Sequence, residues 1–184
     1  MRIFLLTFTL FLFTSGACLG ADAVKPVVKP KETTQSPSSG FVGQPVAAFE
    51  AITTAGVNIS SASHGAKALV ITLWGLSCVS CLDEMKALEP LYQEYRDQGL
   101  KIWAINTEDI DAREIEKGLR IREFDLTYDL VPDPGLKITK LFTNWFIPVT
   151  VIVDSEGIVQ YYKIGFNESD AESVKAKVGT LLSR

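Results

Sequence analysis

The clearest hydrophobic pattern in the chain is the continuous apolar run Ala68–Trp74, which is rich in β-branched residues. Such a run predicts a central strand that is buried on both faces of a sheet. Apolar residues then recur at spacings of three and four, which predicts an amphipathic helix with the seam Cys78, Cys81, Met85, Leu88, Tyr92 and Tyr95. Pro90 is expected to kink this helix, and Gly99 is expected to end it.

A second strand is predicted at Lys101–Asn106, and the resulting strand–helix–strand unit implies parallel pairing with a right-handed crossover. The same reasoning predicts the other strands at 126–131, 150–153 and 158–164, and a leading hairpin at 47–52 and 57–60. Further helices are predicted within 111–123, at about 135–142, and from a capping box at Ser169–Glu172. The pattern therefore indicates an α/β domain with helices flanking a central sheet.

The N-terminal segment has a different character from the rest of the chain. Arg2 precedes an apolar run at Ile3–Phe13, and small residues follow up to Ala23, which is the order of a secretory signal at residues 1–23. The run is short for a spanning helix, which needs about 20 apolar residues. An uncleaved anchor and acylation at Cys18 are the alternatives. Export to the bacterial periplasm or another extracytoplasmic site is expected.

Residues 24–40 are rich in Pro, Ser and Lys, which predicts a linker, so residues 41–184 form one domain. The chain has 18 Lys and Arg against 22 Asp and Glu, a net charge of −4, which argues against nucleic acid as a partner. Three cysteines are too few for a disulfide-stapled scaffold. The single histidine, His64, lies in a Ser/Gly-rich stretch and is interpreted as an ordinary loop residue.

The candidate chemistry is the Cys-x-x-Cys motif formed by Cys78 and Cys81 at the start of the predicted helix. Free backbone N–H groups and the helix dipole favour a thiolate there, which makes Cys78 the attacking and Cys81 the resolving cysteine. Ser77 is the candidate helix cap. Covalent haem attachment requires a histidine directly after the second cysteine, where Leu82 stands, so the sequence argues against it. A zinc site would require a further pair of Cys or His ligands, which the sequence after the signal segment does not offer. A purely structural disulfide stays open as an alternative.

The segment Trp74–Cys81 (WGLSCVSC) resembles the thioredoxin superfamily, and in particular its exported TlpA/ResA-type thiol–disulfide oxidoreductases. The segments 146–150 (FIPVT) and 42–45 (VGQP) resemble the cis-proline loop and the entry segment of that family. The likeness covers nearly all of residues 41–184. It implies a thioredoxin-like α/β fold: a central mixed β-sheet flanked by helices, with an N-terminal hairpin and a central helix–strand insertion.

The resemblance also assigns roles to further residues. Glu84 borders the apolar seam, where burial raises a carboxyl pKa, and it is the candidate for proton exchange with Cys81. The alternative is an acid favoured by the helix dipole. Pro148 is expected to follow a cis bond, and the backbone of Ile147 is expected to pair with an extended substrate. Trp74 and Trp145 are candidates to line the site, with core packing as the alternative for both.

Three departures from the family pattern affect the site. Ser77 stands where the family usually has Trp, and Val79-Ser80 replaces a pair that usually ends in Pro. Thr72 occupies the strand position where thioredoxin has a buried acid. The departures bear on the reduction potential and the partner more than on the type of reaction.

The sequence predicts an exported thiol–disulfide oxidoreductase that reduces specific disulfides in exported proteins, such as an apocytochrome c. It would act as a monomer without cofactor or metal, with a membrane thiol carrier as electron donor. The absence of His between the cysteines favours the reducing direction. Three alternatives remain: a peroxiredoxin-like peroxidase, which needs Thr where Gly75 stands; a copper carrier, which needs a wider cysteine spacing and a later His; and a binding module.

Overall fold

The computed structural model describes residues 40–184, so the predicted signal segment, Cys18 and nearly all of the predicted linker lie outside the described part. The strands are β1 (Glu50–Ile52), β2 (Asn58–Ser60), β3 (Ala68–Trp74), β4 (Leu100–Asn106), β5 (Asp129–Pro132), β6 (Val149–Asp154) and β7 (Val159–Ile164). The helices are α1 (Val79–Tyr95), α2 (Ala112–Ile121), α3 (Thr139–Phe142) and α4 (Glu168–Leu182). None of the helices within residues 40–184 has the length and apolar character needed to cross a bilayer.

Five strands form a central mixed sheet in the order β5–β4–β3–β6–β7. The strand β3 pairs in parallel with β4, and β4 pairs in parallel with β5. The strand β6 runs antiparallel to both of its neighbours, β3 and β7. The leading hairpin β1–β2 is a separate two-stranded sheet. The mixed sheet and the βαβ unit predicted from the sequence are confirmed.

The side chains of β3 alternate between two cores, as a strand buried on both faces requires. One face packs Ala68, Val70 and Trp74 against α1, α2 and α4. The opposite face packs Leu69, Ile71 and Leu73 against Phe49, Phe142 and other residues of the hairpin and the segments around α3. All seven residues of β3 are buried, so the strand holds the Cys-x-x-Cys loop at its carboxyl end from a rigid support.

The third helix is shorter than predicted, because it begins at Thr139 rather than near Gly135. Gly135 and Leu136 have positive φ angles of 77° and 55°, which are incompatible with a right-handed helix. The buried carboxylate of Asp133 instead accepts the backbone N–H groups of Ile138 and Thr139, at 3.0 and 2.7 Å. This segment is therefore a turn closed by a side chain.

Two helix starts differ in how they are capped. Asp111 caps α2 in a capping box, so this helix begins inside the predicted range. The last helix begins at Glu168, and its capping box is formed by Asn167 and Asp170 rather than by the predicted Ser169–Glu172. Asn167 has extended backbone and an amide oxygen that accepts the N–H of Ser169, so the helix starts earlier than predicted.

Two single residues can be compared with expectation. His64 lies outside the helices and strands, as expected of a loop residue, but it is buried, 5% exposed, and its Nδ1 accepts the N–H of Ala66 at 3.1 Å. Pro90 lies inside α1 as predicted, and the helix continues across it to Tyr95. A short 3₁₀ turn then leads to Gly99, whose φ of 108° closes the helical segment as expected.

Candidate functional site

The two cysteines form a disulfide at the N-terminus of α1. Cys78 itself is the N-cap of the helix, and its Sγ accepts the backbone N–H of Cys81 at 3.2 Å. The prediction that Ser77 caps the helix is therefore wrong, because α1 begins one residue later than that assignment requires. Cys78 is partly exposed, whereas Cys81 is fully buried on the apolar face of the helix. The pair thus combines a partly exposed first cysteine with a buried second one.

Glu108 holds the loop in front of the cysteines, a role that the sequence did not reveal. Its carboxylate accepts the N–H of Leu76 at 2.7 Å and both the N–H and the hydroxyl of Ser77, at 3.1 and 2.8 Å. Glu108 follows β4 by two residues, and the carboxyl ends of the parallel strands β3 and β4 meet at the same edge of the sheet. An acid just past the end of β4 is the signal that could have identified it.

The carboxylate of Glu108 is anchored as an anion. Partial burial acts to raise its pKa, but the hydrogen bonds that Leu76 and Ser77 donate to the carboxylate outweigh that effect and lower the pKa. Because Glu108 stays ionised at neutral pH, it fixes one negative charge beside the loop that leads into Cys78.

Two glycines allow the loop to pack this closely. A Cβ on Gly75 would lie 3.2 Å from the Glu108 carboxyl group and 3.3 Å from Ile147. A Cβ on Gly118 of α2 would lie only 2.5 Å from a methyl carbon of Leu76. The peroxidase alternative would require Thr at Gly75, and there is no room for that side chain without a shift of Glu108 and Ile147.

Glu84 is the buried ionisable group of α1, with 1% of its surface exposed. The hydroxyl of Thr72 on β3 donates to Oε2 at 2.7 Å, and the hydroxyl of Thr150 on β6 donates to Oε1. Burial raises the pKa of Glu84 to about 7, against the opposing effect of the two threonine hydrogen bonds. Cys81 and Glu84 are three residues apart on the same buried face of the helix, where side chains are neighbours.

The proline loop approaches the cysteine loop through one side chain. The Ile147–Pro148 peptide bond is cis, and Pro148 is buried. Ile147 is partly exposed, and its terminal carbon lies against Gly75 in the loop before Cys78. The structure therefore brings Ile147 beside the cysteine loop.

The two tryptophans have opposite positions. Trp74 is fully buried in the same core cluster as Cys81. It therefore packs in the core, which was the alternative to lining the site. Trp145 is 87% exposed and the adjacent Phe146 is 65% exposed, so Trp145 is not a core residue. Both aromatic side chains therefore lie at the surface.

A groove of about 480 Å³ runs beside the cysteine loop. It is lined by Ser77, Thr107, Glu108, Leu136, Thr139, Lys140, Thr143, Asn144, Trp145 and Ile147. Its walls combine the loop before the cysteines with the loop before the proline, so a bound chain would lie against both. Within residues 40–184, no group of three or more His, Cys, Asp or Glu side chains is placed to hold a metal ion.

The mixed sheet, the βαβ unit and the Cys-x-x-Cys pair at a helix N-terminus define a thioredoxin-like protein with a dithiol site. The chain belongs to the AhpC/TSA family, whose model matches residues 42–162.

The chain is 29% identical over 107 residues to the thiol-disulfide oxidoreductase ResA of Halalkalibacterium halodurans, covering 58% of this chain and 59% of that protein. It is also 29% identical over 99 residues to ResA of Bacillus cereus, covering 54% and 56%. The chain thus spans less than two thirds of the length of these relatives. The crystal structure of StoA from Bacillus subtilis superposes with a TM-score of 0.60 at 22% identity, covering 74% of this chain and 98% of StoA, which supports the shared fold.

Proposed function

We propose that the protein is a thiol–disulfide oxidoreductase that reduces specific disulfides in exported proteins through its Cys78–Cys81 dithiol. The observation that carries the proposal is the asymmetry of the pair at the helix N-terminus: Cys78 is partly exposed and Cys81 is buried. The similarity to proteins named thiol-disulfide oxidoreductase supports the same activity.

In the reaction, the Cys78 thiolate attacks one sulfur of a target disulfide, whose S–S bond breaks as a mixed disulfide forms. The released target thiolate takes up a proton. Cys81 then loses its proton, attacks the Cys78 sulfur and closes the intramolecular disulfide, and the second target sulfur leaves as a thiolate that takes up a proton. The target gains two electrons and two protons, and the two cysteines supply the electrons.

Glu84 is proposed to accept the proton that Cys81 gives up in the second step. Its pKa of about 7 means that both the carboxylate and the acid are populated near neutral pH, as suits a group that takes and returns a proton. Its position three residues after Cys81 on the buried face of α1 supports this role, because side chains at that spacing are neighbours on a helix.

The target is proposed to bind along the groove beside the cysteine loop. The backbone of Ile147 would pair with an extended segment of the target, as strand-type recognition does, and Trp145 would cover its side chains. We further propose that the protein works as a monomer outside the cytoplasm and is recharged by a membrane thiol donor. An apocytochrome c is one proposed target.

Two measurements test the activity. The first is the reduction potential of the Cys78–Cys81 pair in glutathione or dithiothreitol buffers. A value near or below about −220 mV supports a reductant, and a value near about −120 mV would reverse the direction of transfer. A pair that does not exchange at all would leave a structural disulfide and remove the enzyme proposal.

The second measurement assigns the two cysteines. Cys81→Ser is expected to accumulate mixed disulfides with target proteins, because the intermediate cannot be resolved. Cys78→Ser is the matched control and should trap none. Both variants carry Cys18→Ser, since Cys18 would otherwise offer a third thiol. Trapping by the Cys78→Ser variant instead would exchange the two roles.

A further inference from the structure

A row of polar side chains crosses the sheet face beneath α1 and α4. Thr72 on β3 lies opposite Thr150 on β6, and Thr150 lies opposite Lys163 on β7. The other residues of β3 on this face, Ala68, Val70 and Trp74, are core residues. Polar groups in such a face are costly unless each has a partner, so the partners of this row need an explanation.

Two carboxyl groups from the helices sit on the row. Glu84 of α1 accepts the hydroxyls of Thr72 and Thr150, and Asp170 of α4 forms an ion pair with Lys163. The side chain of Asp170 is 7% exposed, whereas that of Lys163 is 34% exposed. The row therefore runs from the buried carboxyl of Glu84 to an ion pair whose cationic end reaches solvent.

We propose that Lys163 and Asp170 are positioning residues that set the protonation equilibrium of Glu84 across the row. The proposal rests on the proposed function, in which Glu84 takes the proton of Cys81. In a low-dielectric core, the cation of Lys163 on β7 favours the carboxylate form of Glu84. The anion of Asp170 on α4 favours the acid form. The two members of the ion pair therefore act on Glu84 with opposite sign, and the loss of either charge should move its protonation in a different direction.

The other ionisable groups that face Glu84 are uncharged near neutral pH, so the ion pair supplies the charges that act on it. Tyr128 lies in the segment before β5, and Tyr161 lies on β7. Burial, and the nearby charges of acids that include Glu84, raise the pKa of both phenols, so both are neutral at neutral pH. Cys81 is held in the disulfide. Beyond burial, which is the largest cause, the charge of Asp170 adds to the raised pKa of Glu84.

The test is a titration of the Glu84 carboxyl by carbon NMR in the oxidised protein, a readout that needs no exchange activity. Lys163→Met keeps the aliphatic stem and removes the cation, so the Glu84 midpoint should rise by about 0.5 to 1 pH unit. Asp170→Asn keeps an oxygen for the cap of α4 and removes the anion, so the midpoint should fall by a similar amount. The double variant should return it close to the wild-type midpoint.

Opposite shifts in the two single variants support the proposal, because a merely structural disturbance has no reason to change sign with the charge. Lys175→Met is the matched control. Lys175 lies on the exposed side of α4 and pairs with Glu94 of α1, so removing its charge should leave the Glu84 midpoint unchanged. Shifts of the same sign, or no shift in either variant, would overturn the proposal. If Asp170→Asn does not fold, Lys163→Met against wild type decides the matter.

The same variants separate this proposal from the proposed function. The NMR midpoint reports the ion pair whether or not the protein exchanges disulfides. The pH profile of mixed-disulfide resolution reports whether the Glu84 proton is used. A shifted midpoint with an unshifted profile would keep the ion-pair proposal and remove the proton-transfer role of Glu84.

Discussion

Thr72 and Thr150 lie directly opposite each other on neighbouring antiparallel strands, and their hydroxyls donate to the two oxygens of one buried carboxyl group. That carboxyl belongs to Glu84 on α1. By the resemblance of the sequence, Thr72 stands where thioredoxin carries a buried acid; in this structure the strand supplies a hydrogen-bond donor and the helix supplies the acid. The site keeps one buried carboxyl beside the cysteines but holds it from a different element.

The buried carboxyl should make stability depend on pH. Because the pKa of Glu84 is about 7 in the folded protein against 4.5 for a freely solvated glutamate, the folded state holds this proton more tightly than the unfolded chain. The resulting stabilisation is present below about pH 4.5 and is lost as pH rises to about 7, a loss of roughly 3 kcal/mol. Urea unfolding of the oxidised protein against pH measures it.

Glu84→Gln is the matched variant, since an amide can hydrogen-bond both threonines but does not titrate. We expect the difference in unfolding free energy between wild type and this variant to change across that pH range. A difference that stays constant with pH would show that Glu84 titrates alike in both states.

Glu108→Ala should loosen the loop before Cys78. The change removes three hydrogen bonds to a charged acceptor, so we expect the free energy of unfolding to fall by about 1–2 kcal/mol. Amide exchange at Leu76 and Ser77 should also become faster. Glu116→Ala, at an exposed position on α2, serves as the control and should change stability by less than about 0.5 kcal/mol. Unchanged amide exchange in Glu108→Ala would mean that the loop is held by other contacts.

Trp145→Ala should separate substrate contact from chemistry. Because Trp145 is 87% exposed, its loss should barely change stability. We expect kcat/KM with a protein disulfide to fall about tenfold, the effect of losing an aromatic anchor, while the rate with dithiothreitol stays the same. Val42→Ala, at another exposed apolar position, is the control. Equal losses with both substrates would place Trp145 in the chemistry instead of in substrate contact.

The fold was largely predictable because its hydrophobic patterns are strong. The β-branched run of β3 and the three–four spacing of α1 are both strong signals, and both elements lie where predicted. The start of α3 was not predictable from pattern, because it depends on a positive φ at Leu136 and on a carboxylate, Asp133, that closes the turn.

The site was predictable only where local sequence determines it. The pairing of Cys78 with Cys81 follows from spacing, and the burial of Glu84 follows from its position on the helix face. Glu108 and Lys163 act on the site from other elements, and their positions depend on strand register. No local pattern specifies register, so an acid just past the end of β4 marks Glu108 only as a candidate, and Lys163 could not be assigned before the pairing of β6 and β7 was known.

The contact between Gly118 and Leu76 bears on how this domain can be recombined with its relatives. Gly118 lies in α2, within the segment between β4 and β5, and Leu76 lies in the loop that leads into the cysteines. The two segments are therefore not independent modules. A chimera that grafts a relative's segment between β4 and β5 must keep a glycine at position 118 and an acid at position 108, or the cysteine loop will lose both its packing space and its anchor.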